Sequence, residues 1–104
     1  MKFLAVERPV AGASPEAMRL LLNAEARRVW ELQLAGILRE IYFTPVRKAV
    51  LVLECADEAA VHAALASLPL VREKQIQFDV TALLPYTGLE RLFAADMPSS
   101  TTQR

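Results

Sequence analysis

The sequence has one cysteine, one histidine and three glycines among its 104 residues, and each shortage closes off a class of chemistry. Cys55 has no partner for an internal disulfide. Set in a Val/Leu-rich run, its thiol reads as a small buried hydrophobe. A single histidine and a single cysteine exclude a His/Cys metal cluster within one chain, and no spacing of acidic residues suggests an all-carboxylate site. So few glycines form no phosphate-cradling loop, and HExxH, CxxC and a Ser or Cys nucleophile in a recognised setting are absent too. No motif in the chain therefore calls for a particular metal or cofactor.

Charge of one sign is also missing. Twelve Lys and Arg balance twelve Asp and Glu, and neither sign forms a run of the kind that binds nucleic acid or a membrane surface. Long apolar runs are absent as well. Met1 to Val6 opens like a signal peptide, but Glu7 and Arg8 interrupt it short of the roughly 7–15 residues an h-region needs. Nothing approaches the roughly 18 apolar residues of a membrane span. A cytoplasmic location, with no nucleic-acid or membrane partner, follows as the default expectation.

What is present is apolar surface. The hydrophobic share is 54%, above the roughly 45–50% of ordinary globular proteins, in a chain too short to hide it well. Lys2 to Arg8 reads as a strand ended by Pro9. Ser14 is an N-cap with Pro15 at the first helical position, and a helix stripe of Met18, Leu21, Leu22, Val29 and Leu32 runs to about Leu34 before Gly36 ends it. Ile37–Phe43 and Ala49–Cys55 form a hairpin, Asp57 caps a second helix to about Ser67, and Gln75–Leu83 alternates as a last strand. Thr87 to Glu90 has capping-box spacing, which predicts a short helix over 87–94. The Ser/Thr-rich segment 96–104 reads as a disordered tail, leaving one domain over 1–95.

This order, strand-helix-strand-strand-helix-strand, is the split βαβ pattern of a ferredoxin-like α+β domain, with both helices on one face of a four-stranded antiparallel sheet. In the first and third strands both alternating sets are largely apolar, so the second sheet face should be buried as well. A second copy of the sheet would cover it, which predicts at least a homodimer.

Two charged residues interrupt apolar periodicities. Glu25 falls in the middle of the first helix stripe, and Arg39 alternates with Ile37, Ile41 and Phe43. Gly36 reverses the chain, which puts Glu25 about 16 Å back along the helix and Arg39 about 10 Å forward along the strand. The expectation is a partly buried Glu25–Arg39 pair beneath the helix. Two readings of it stand open. In one, Arg39 anchors a small anion bidentately while Glu25 moves a proton; in the other the pair is a structural salt bridge. His62 lies off the buried face of the second helix and reads as an exposed or interface residue. Trp30 and Tyr42 read as packing residues at the helix edge and the dimer interface, with pocket lining as the alternative.

Ala24-Glu25, Gly36 with Arg39 three residues on, Ser67-Leu68-Pro69-Leu70 and the strand Ile76-Gln77-Phe78-Asp79-Val80 together resemble the muconolactone isomerase-like family over about residues 1–86. The resemblance implies a dimeric α+β barrel, often assembled into larger rings, and a cofactor-independent isomerase that shifts a double bond in a small organic acid or lactone. It carries the acid/base role to Glu25 and the anchoring role to Arg39. The alternative is a non-catalytic dimeric module of the same barrel type that binds a small hydrophobic acid.

Overall fold

The computed structural model describes residues 1–94. Its elements are β1 (Lys2–Pro9), α1 (Pro15–Leu34), β2 (Leu38–Phe43), β3 (Ala49–Glu54), α2 (Glu58–Ala66), α3 (Pro69–Arg72) and β4 (Ile76–Leu83), followed by a 3-10 helix over Gly88–Leu92. The four strands form one sheet in the order β2-β3-β1-β4, with antiparallel neighbours throughout. This is the ferredoxin-like α+β arrangement.

Local chemistry explains the element ends. Ser14 Oγ accepts from Ala17 N at 3.3 Å to cap α1, and Pro15 occupies its first turn, where the missing N–H costs nothing. Gly36 sits at φ +76°, the left-handed turn that reverses the chain into β2. Asp57 caps α2 by accepting from Ala60 N at 2.8 Å. In the β2–β3 turn Thr44 and Lys48 exchange hydrogen bonds, Arg47 adopts φ +65°, and its guanidinium lies 4.5 Å from the centre of the Phe43 ring.

Three features depart from the sequence reading. After α2 ends at Ala66, Ser67 stays helical, Leu68 is extended, and a short turn α3 that the sequence reading does not contain starts with Pro69 at its first position. Over 87–94 an amphipathic helix was expected, yet the segment forms a 3-10 turn with Leu89, Leu92 and Phe93 exposed. A helix draws most of its stability from burying an apolar face, and among the described residues these three side chains stay largely in solvent. The tail expected over 96–104 lies outside the described residues.

The third departure is at Arg39. Leu38 pairs with Leu53 and Glu40 with Val52, so Arg39 is an extra residue in a β-bulge. A bulge breaks the two-residue alternation. Leu38 is therefore buried while Arg39 and Glu40 are both exposed, and Ile41 returns to the helix side opposite Leu51.

The core lies between the helices and one sheet face. Phe3 and Ala5 of β1, Leu51 and Leu53 of β3, and Leu38 of β2 meet Val61, Ala64 and Leu65 of α2, with Leu32 from α1 and Leu68 from the link. The opposite sheet face carries Leu4, Val6, Val50 and Val52 at neighbouring register positions, all only half-buried within the chain. No helix among the described residues is long and apolar enough to cross a membrane.

Candidate functional site

A cavity of about 360 Å³ opens between the middle of α1 and the sheet. From α1 it receives Leu22, Glu25, Val29 and Trp30; the sheet contributes Glu7, Ile41, Phe43, Leu51 and Phe78, and Leu68 and Leu70 close one end. The walls are apolar apart from Glu7, Glu25 and Gln33. Such a space, mostly greasy with a few placed polar groups, is the usual form of a small-molecule site.

The helix period brings Glu25 here. Positions 22, 25, 26, 29 and 33 share one face of α1, so a carboxylate at 25 points where its apolar neighbours point. Its Oε1 accepts from Leu70 N at 2.9 Å. That N–H belongs to the first turn of α3, which has no side-chain cap of its own, and Glu25 supplies the missing acceptor. Burial pushes the Glu25 pKa above its ordinary value. The Leu70 hydrogen bond and the Arg72 charge oppose this shift, and the Glu7 charge adds to it.

Arg39 does not join it. Its Nε donates to Gly36 O at 2.6 Å, its side chain is exposed, and it is not part of the cavity wall. The bulge turns it away from the face that Ile41 and Phe43 occupy, so the expected Glu25–Arg39 pair is not formed. Its charge is felt instead by Glu54. Unbroken alternation along β2 would have turned Arg39 toward the helix side; the bulge removes that alternation.

Trp30 lines the cavity while remaining 60% exposed at its edge. Tyr42 is on the opposite sheet face, its hydroxyl donating to Glu40 Oε1 at 2.7 Å. His62 is exposed on α2, 3.4 Å from Glu58 one helical turn away. Cys55 is half-buried, and desolvation raises its thiol pKa. Among the described residues no group of His, Cys, Asp and Glu could hold a metal ion.

Glu7 is the residue the sequence reading missed. It follows Phe3 and Ala5 at two-residue spacing, the set that faces the helices, so the period alone could have placed a carboxylate inside. Beyond the last β1–β3 pair, Val6 with Val50, the Glu7 side chain takes over from the backbone ladder and its Oε1 accepts from Ala49 N at 2.9 Å.

The family model described as muconolactone delta-isomerase matches residues 1–88. A search of the curated proteins finds no match. Among solved structures the chain is similar to 5-chloro-2-hydroxyhydroquinone dehydrochlorinase from Burkholderia phenoliruptrix AC1100, solved in complex with 2,5-dihydroxybenzoquinone. Identity is 14%, the TM-score is 0.66, and the match covers 85% of this chain and 98% of that one. At that identity the likeness is one of fold.

Proposed function

The chain belongs to the muconolactone delta-isomerase family, and from that premise we propose that it is a cofactor-independent isomerase moving a proton on a small organic acid or lactone, with Glu25 as the acid/base group. The observation that carries this is a half-buried carboxyl, held at one oxygen by Leu70 N, in an otherwise apolar cavity of ligand size. Burial raises its pKa and so brings it closer to the range in which a carboxylate is an effective base near neutral pH. A double-bond shift beside a carbonyl is redox-neutral. Glu25 takes a proton from the carbon next to the carbonyl, the electron pair spreads into the enolate, and the proton returns at the far end of the conjugated system. Acid/base chemistry alone accounts for it.

The reading includes a homodimer and a cytoplasmic location. The half-buried Leu4, Val6, Val50 and Val52 form an apolar patch suited to a second copy of the sheet. Light scattering should give at least a dimer, and Val52→Lys should dissociate or unfold it, since an unpaired charge buried there costs several kcal/mol.

One observation favours the non-catalytic alternative: Glu25 already has a structural task, holding α3 through Leu70 N. Deuterium exchange into an unsaturated lactone, followed by NMR, separates the two. The isomerase reading expects exchange and double-bond migration that Glu25→Gln abolishes while the lactone still binds. Binding without exchange in the unaltered protein would leave only the module.

A further inference from the structure

We propose that Glu7 sets the charge of the ligand, and that the cavity holding Glu7 and Glu25 takes an uncharged cyclic lactone or ester in preference to the free organic acid; this rests on the reading of that cavity as a proton-transfer site. Both carboxylates line the same space from opposite walls, Glu7 from β1 and Glu25 from α1. Each has one oxygen committed to a backbone N–H of another element, Ala49 N and Leu70 N. Neither is a loose surface group that could swing away from a ligand.

Electrostatics inside such a space is strong, because apolar walls screen little. Glu7 already acts on Glu25 in this way, adding to burial in making its proton harder to lose. A ligand carboxylate would bring a further negative charge out of water and against these two. Among the described residues no lysine or arginine is part of the wall. Arg47 lies over the Phe43 ring, and Arg72 acts on Glu25 from α3 while its Nε is 3.4 Å from Glu73. An uncharged ring meets no such penalty. Its faces can lie against Trp30, Phe43 and Phe78, which line the same space, and Glu25 is left to take the ring proton. A negative Glu7 would keep Glu25 a stronger base and exclude anions at once.

The test is a matched set built on one unsaturated lactone: the free acid, its methyl ester and the corresponding amine. In the unaltered protein the ester should bind, by calorimetry, about tenfold or more tighter than the acid, as expected when like charges are juxtaposed. Glu7→Gln keeps an acceptor for Ala49 N while removing the charge. It should bring acid and ester to within about threefold of each other, chiefly by tightening the acid. The ester-to-acid ratio needs no variant, so it still decides the matter if the Glu7→Gln chain fails to fold. An acid that binds as well as the ester, an amine that binds better than the ester, a ratio indifferent to Glu7→Gln, or no binding of any of the three overturns the proposal. The two readings fail separately. Glu25-dependent proton exchange with the acid preferred keeps the isomerase and removes the charge selection. A Glu7-dependent preference for the ester without exchange does the reverse.

Discussion

The space between helices and sheet is filled in two different ways. Under α2 it is closed: Val61 and Leu53 are fully buried, and Leu65 and Ala64 interlock with the strand residues beneath. Under α1 it is open. Only Leu32 of that 20-residue helix is buried, while Leu22 and Trp30 stay 50% and 60% exposed beside a cavity. What holds α1 in place is largely polar. Ser14 N donates to Gln75 Oε1 at 2.8 Å, Arg28 Nε donates to Ser67 Oγ at 2.9 Å, and Glu25 binds Leu70 N. Directional ties fix a helix without filling the volume under it, so the fold keeps a ligand-sized gap next to a dry core. The short α2 turns Val61, Ala64 and Leu65 into the core, whereas α1 has its bulkier side chains and Glu25 along the cavity.

The contrast is broken most directly by truncation. Leu65→Ala in the closed half should cost roughly 2–5 kcal/mol, since neighbours there cannot collapse into the gap. Leu22→Ala on the cavity wall should cost less than about 1 kcal/mol, its side chain being half in solvent already. Urea unfolding at one fixed protein concentration measures both. Equal losses would mean that the cavity is closed in solution.

Enlargement sharpens the same point at a smaller scale. Ala64→Leu, forced into the packed side, should destabilise by about 1–3 kcal/mol. Ala26→Leu projects into the cavity and should leave the unfolding midpoint nearly unchanged while abolishing binding of the lactone ester. Loss of stability without loss of binding at position 26 would contradict the assignment of the wall.

Helix capping gives a finer comparison still. Ser14→Ala and Asp57→Ala each remove one cap and should each cost about 1 kcal/mol. Amide hydrogen exchange should nevertheless differ. With few buried apolar groups to restrain it, the first turn of α1 should exchange faster after Ser14→Ala than the first turn of α2 does after Asp57→Ala.

How much of this could be read before the structure depended on which rule each residue obeyed. Strong periodicities were legible: the order of strands and helices, the Ser14 and Asp57 caps, the reversal at Gly36, and Glu25 as a carboxylate on an apolar helix face. Arg39 was misplaced because the bulge between Leu38 and Glu40 arises in the pairing with β3, and nothing in β2 alone announces it. The α3 turn escaped because Pro69 signals equally an end and a beginning. Glu7 was legible in principle, at the same spacing as Phe3 and Ala5, but an acidic residue near the end of a strand reads first as solvated. The open sheet face was visible as apolar alternation in both β1 and β3. The difference in filling under the two helices was not, since both stripes look alike until packing decides which side chains become buried.

The smallest expected effect bears on the carboxyl that fastens α1 to α3. Glu25 reaches from the open side to Leu70 of α3, and burial raises its pKa above the ordinary 4.5 despite that hydrogen bond. A carboxyl whose folded-state pKa exceeds its unfolded value binds its proton more tightly in the folded chain. Its contribution to stability is therefore greatest at low pH, falls as pH rises from 4.5 through the raised value, and is level above it. Glu25→Gln keeps the acceptor for Leu70 N and cannot titrate. Subtracting its stability curve from that of the unaltered protein cancels the other carboxylates, and the difference should decline with pH across that window and nowhere else. A difference that instead rises with pH would mean that the Leu70 hydrogen bond and the Arg72 charge outweigh burial. Glu25 would then be a structural anion fastening α1 to α3, and a poor candidate for a base.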